Sequence, residues 1–202
     1  SMISLAEKEK ACGEDLEELW AYVAYILCAG NTENKVSNSW KGVRANLEVL
    51  DAQGMTLLAA ASMMNIEELV VYLLREGARV DAKGLDGRTP LIYASARGNV
   101  GVCKVLMSFL AAEKRLAFID AVSADGQTAL VRAAAHGQLK VCKLLVDAGA
   151  SRCGTALEIA ILAEHSPVIE YMVVATGIQD LFSLDGTKEG HRVGSKISKT
   201  MQ

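Results

Sequence analysis

The chain has 202 residues, 51% of them apolar and 5% aromatic, with 21 basic and 24 acidic side chains for a net charge of −3. That length suits one domain with a sizeable core, and so few aromatics suit helices packed through Ala, Leu and Val. The charge balance lacks the basic stripe of a nucleic-acid binder, and no stretch approaches the roughly eighteen uninterrupted apolar residues of a membrane span, so neither nucleic acid nor membrane is expected as a partner.

From Glu14 to Ala29 the apolar residues Leu16, Leu19, Trp20, Val23, Ile26 and Leu27 recur at helical spacing, which predicts an amphipathic helix closed by Gly30 and Asn31. Thr32 to Ser39 is too polar for an apolar second helix. Residues 1–50 are therefore expected to form a divergent helical N-terminal cap, with Trp40 and Val43 to Leu50 folded back near the segment that begins at Asp51. Trp20, Tyr22 and Tyr25 would also suit a membrane surface, but the flanking Glu14, Asp15, Glu17 and Glu18 oppose binding to anionic lipid.

Four related stretches come next. Gln53-Gly54-Met55-Thr56-Leu57-Leu58-Ala59 is followed by Asp86-Gly87-Arg88-Thr89-Pro90-Leu91-Ile92, then Asp125-Gly126-Gln127-Thr128-Ala129-Leu130-Val131, then the shorter Gly154-Thr155-Ala156-Leu157-Glu158. Their threonines stand 33, 39 and 27 residues apart. Gly87 and Gly126 allow the positive φ of a tight turn, each threonine can cap a helix, and Pro90 suits the first helical position. Gly98 and Gly137 should end that helix as left-handed caps; Asn65 suits the role and Glu164 suits it poorly. A second helix is expected after each cap, as in Val102-Cys103-Lys104-Val105-Leu106 and Val141-Cys142-Lys143-Leu144-Leu145.

The repeats are read as 51–83, 84–122, 123–151 and 152–176. Six extra residues of the second fall between Met107 and Val122; if helical, they lengthen the second helix by about 9 Å and project Lys114, Arg115, Leu116 and Phe118 at the back or base of the stack, and the insertion is either a tolerated loop or a separate contact site. The third lacks the six residues that would build its outgoing hairpin. Ser166-Pro167 predicts a serine cap on the fourth repeat's second helix. Residues 177–202, with Lys188, Arg192, Lys196 and Lys199 against Glu189, are expected to be a solvated, mobile tail, or one that is phosphorylated or binds acid through Ser195 and Ser198.

A period of about 33 residues with a Thr-Pro-Leu-x-x-Ala core resembles the ankyrin-repeat family, over roughly Asp51 to Thr176. The resemblance implies an all-α solenoid of stacked helix-turn-helix units with short β-turn or hairpin tips. One departure runs through all four copies, since the family's histidine two residues after Thr-Pro is replaced by Ala59, Ile92, Val131 and Glu158. In that family partners are generally engaged by the hairpin tips and the exposed side of the first helices. Carried over, the tips include Ala52, Gln53, Met55, Leu85, Asp86, Arg88, Ala124, Asp125 and Gln127, and the helix positions are Met63, Met64, Tyr93, Arg97, Arg132 and His136. Methionine adapts to varied shapes and arginine grips carboxylates, so an adaptable apolar end beside a cationic centre is expected. The matching partner is another protein, presenting an extended segment with acidic residues beside one or two large apolar anchors. Alternatively, the methionines pack between helices and the arginines form a solvated face.

Chemistry beyond binding is not signalled. The five cysteines, Cys12, Cys28, Cys103, Cys142 and Cys153, include no C-x-x-C pair, so buried reduced thiols and a reducing compartment are expected rather than zinc. His136, His165 and His191 fall in unrelated parts of the repeat pattern, and no phosphate loop, nucleophile elbow or metalloprotease motif is present. No catalysis, metal or cofactor is expected. The reading is a monomeric cytoplasmic or nuclear scaffold or adaptor; its rivals are a regulatory domain of a larger enzyme such as a kinase, and a self-associating structural unit.

Overall fold

In the computed structural model, described here over residues 47–48, 50, 53–114 and 116–177, α-helices follow one another in pairs. They are α1 (Leu57–Met63) with α2 (Glu67–Arg75), α3 (Pro90–Arg97) with α4 (Val100–Ala112), α5 (Ala129–Ala135) with α6 (Leu139–Asp147), and α7 (Cys153–Leu162) with α8 (Ser166–Thr176). The expected N-terminal cap helix, Ala52, Arg115, Cys12, Cys28 and the tail beyond Gly177 lie outside the described residues.

Each early repeat begins in the same way. Thr56, Thr89 and Thr128 are extended, and their hydroxyls accept the backbone N–H three residues on, from Ala59 at 3.2 Å, Ile92 at 3.4 Å and Val131 at 3.4 Å. Such caps satisfy donors that no helical carbonyl can reach. The preceding turns are stitched edge to edge: Leu85 N–H donates to Gly54 O at 2.8 Å and Ala124 N–H to Asp86 O at 2.9 Å. A side chain at Gly87 would put its Cβ 2.7 Å from Ala124 N, so the close approach of tips, as well as φ of +72°, requires glycine there.

Counting from the register threonine shows how the pairs stack. Two residues on stand the buried Leu58, Leu91, Leu130 and Leu157; five residues on stand Ala61, Ala94, Ala133 and Ala160, with no exposure at all. These alanines let α1, α3, α5 and α7 pack closely in sequence. On the second helices Leu69, Val102, Val141 and Val168 form one buried row, and Val70, Cys103, Cys142 and Ile169 the next. The two cysteines thus occupy places that Val and Ile hold in the outer repeats. Burial pushes the Cys103 thiol up to about 11 and that of Cys142 to about 12, so both are held as protonated apolar groups.

The fourth repeat starts differently from its sequence-based expectation. Thr155 lies within α7, whose N-cap is Arg152, because the missing hairpin lets the chain enter the helix three residues early. Ser166 is likewise the first residue of α8 and not its cap; His165 takes that place without a side-chain cap bond. Glu164, poorly suited to a left-handed cap, nevertheless adopts φ of 59°, matching Asn65 (60°), Gly98 (78°) and Gly137 (70°) nine residues past their own threonines. Packing at the end of α7 overrides the local preference.

The extra residues of the second repeat lengthen α4 to 13 residues, against 9 in α2 and α6, and then form a 3-10 turn at Leu116–Asp120. Leu116 projects, but Ile119 is buried and Phe118 packs on the core, which corrects the expectation that Phe118 projects too. The carboxylate of Asp120 then accepts Ser151 N–H at 3.0 Å. The long repeat thereby satisfies a donor where the short repeat omits its hairpin.

Candidate functional site

Along the concave side, the first helices and the turns after them enclose a groove of about 730 Å³. Met63 stands at one end; Arg88, Tyr93, Arg97, Arg132 and His136 occupy the middle; His165 closes the other end. Three arginines and two histidines line the groove, and no carboxylate among the described residues does. Its floor is held from repeat to repeat by side chains ten residues past the register threonine. Asn99 Nδ2 donates to Ser62 O at 2.7 Å and Met63 O at 3.2 Å, and His165 Nε2 lies 3.0 Å from Ala135 O. Each bond takes up a carbonyl at a helix C-terminus that has no intrahelical donor.

Two of the arginines are restrained from the loop side. Arg132 Nη2 is 2.6 Å from Asp125 Oδ2, and the same carboxylate lies 3.7 Å from Arg88 Nη2. The Ser123 hydroxyl also bonds Asp125, and with the neighbouring guanidinium groups it holds that carboxyl below its ordinary 3.8. Arg88 Nε is 3.4 Å from Asp86 Oδ2 but not aligned for a hydrogen bond, and Arg132 Nε has no acceptor, so each guanidinium keeps a buried donor unused. Leaving such donors unsatisfied costs free energy. Arg97 is exposed and, among the described residues, has no ion-pair partner.

Of the residues singled out in the sequence, Met63, Arg88, Tyr93, Arg97, Arg132 and His136 come together in this groove. Met64 is exposed at the C-cap of α1, and Met55, Leu85 and Gln127 belong to the loop tips outside the lining, Leu85 being 79% exposed. One expectation needs correction. Tyr93 is buried, its hydroxyl donating to Asp86 Oδ2 at 2.6 Å, so it presents a wall and not a free anchor. In the cationic centre, Arg88 and Arg132 are held by Asp86 and Asp125. Sequence reasoning also missed Gln138 and His165. The position ten past each threonine carries them, and its polar series Asn99, Gln138, His165 was the available signal.

Stacked helix pairs with edge-joined turns and a concave groove define a repeat scaffold, whose exposed positions vary without disturbing its core. The chain belongs to the ankyrin-repeat family: the family model described as ankyrin repeats (3 copies) matches residues 23–117 and 108–181. A search of curated proteins finds no match. Ankyrin repeats generally mediate protein–protein interaction. Among the described residues no group of three His, Cys, Asp or Glu side chains is placed to hold a metal ion, and no helix is long and apolar enough to cross a membrane.

Proposed function

We propose that this chain is an intracellular protein-interaction module, a scaffold or adaptor that holds an extended, acid-bearing segment of a partner protein in the concave groove. The observation that carries the reading is the lining of three arginines and two histidines, without a carboxylate among the described residues. Arg97 reaches solvent there and offers a bidentate fork to a carboxylate. Arg132 and Arg88 stand beside it and can exchange Asp125 for a partner's acid. An intracellular, reducing setting accords with Cys103 and Cys142 built into the core as thiols.

The test is selection of a random twelve-residue peptide display library on the whole chain, followed by titration of the selected peptides. Acidic residues should be enriched, and Arg97→Ala should weaken the selected peptides by about 1 to 3 kcal/mol, as expected for a charge-assisted hydrogen bond. Binding should also weaken as salt is raised. Selected peptides that bind Arg97→Ala and an Arg88→Ala, Arg132→Ala variant unchanged, with both variants folded by circular dichroism, would show that the groove is not the working surface.

A further inference from the structure

Resting on the groove reading and extending it, the structure points to a second apolar subsite, centred on Leu162, at the end opposite the methionines. We infer that the partner segment carries two large apolar residues, one at each end of the groove, about eight residues apart with the carboxylate between them. The register supports this. Seven residues past each threonine lie Met63, Ala96, Ala135 and Leu162, and the first three already line the groove. The fourth repeat keeps that register despite its early start, because Glu164 repeats the left-handed turn of Asn65, Gly98 and Gly137, and His165 repeats the carbonyl bond made by Asn99. Leu162 is therefore the next step of the same row, just beyond the enclosed part of the groove, and it is 71% exposed.

Chemistry alternates along the row. Met63 and the exposed Met64 give one apolar end; Ala96 and Ala135 give a shallow floor beneath Arg97, Arg132 and His136; Leu162, with the half-buried Ile159 one turn before it, gives the other apolar end. Small residues in the middle leave room for a backbone to lie close, while the bulky ends offer contacts for side chains. Neighbouring packed helices stand about 8–10 Å apart, so three steps from Met63 to Leu162 span roughly 24–30 Å. An extended chain rises about 3.3 Å per residue and covers that span in about eight residues. A helix of the same length would cover only about half of it. The fitting ligand is thus an extended apolar–acidic–apolar peptide, not an acidic patch or an amphipathic helix.

The peptide selection tests this with one further variant, Leu162→Ser, which changes an exposed side chain and should leave the fold intact by circular dichroism. Peptides selected on the unaltered chain should show large apolar residues at two positions seven to nine apart. Their affinity should fall about tenfold on Leu162→Ser, as expected for losing burial of one leucine side chain. Replacing the apolar residue at one end of the peptide by serine should lose no further affinity against Leu162→Ser, whereas replacing the other should. Peptides that lose affinity on Arg97→Ala but bind Leu162→Ser unchanged would overturn the second subsite and leave the groove reading standing. Peptides unaffected by any of these variants, or no enrichment at all, would overturn both.

Discussion

Asp125 shows how one side chain serves both the fold and the groove. It accepts from Ser123 and Arg132 and faces Arg88, and the Ser123 bond is the largest reason its carboxyl is held below 3.8. A carboxyl lowered in the folded state contributes stability above its unfolded value, and that contribution is lost as pH falls through the folded value. The site is open to solvent, so the contribution is expected to be small, about 0.2–1 kcal/mol for an exposed pair. Asp125→Asn should accordingly be slightly less stable in urea at pH 7, with the difference from the unaltered chain shrinking as pH falls below about 4. The same substitution frees Arg132 and Arg88 and should raise affinity for acidic peptides. Lower affinity would mean that Asp125 orients the arginines and does not compete with the partner's acid.

At the scale of one helix, α7 keeps the family's packing while losing its usual entrance. Thr155 no longer caps it, and its exit turns through Glu164 at φ of 59°. A side chain in the left-handed region costs roughly 1–2 kcal/mol, of which the greater freedom of glycine in the unfolded chain takes back about 0.4–1. Glu164→Gly is expected to stabilise the chain by about 0.5–1 kcal/mol in denaturant unfolding, and a loss of stability would show that Glu164 makes a contact worth more than its strain. The first-helix caps at Thr56, Thr89 and Thr128 were legible from the sequence because a cap is decided within four residues. That at Thr155 was not, because the length of the preceding loop decides where the helix starts, and α8 takes His165 as its N-cap in the same register as the other second helices.

Across the described residues, each helix pair packs against its neighbours in sequence. Cys153, half-buried at the start of α7, is more accessible than the fully buried Cys103 and Cys142. Site-resolved alkylation under native conditions should modify Cys153 well before the other two, which react only through larger openings. Equal rates at all three would indicate that the stack opens as one unit.

The sequence by itself determined the period, the leucine and alanine rows, the helix pairs and most of the groove's central residues, since each follows from spacing along one chain. Only the tertiary structure decided that Arg88 and Arg132 are held by Asp125, that Tyr93 is a wall, that the long and short repeats compensate through Asp120 and Ser151, and that Leu162 continues the row begun at Met63. Those facts depend on which side chains from different repeats come within a few ångströms of one another. That proximity is set by how the helix pairs stack, and a change of six residues in one loop is enough to alter it.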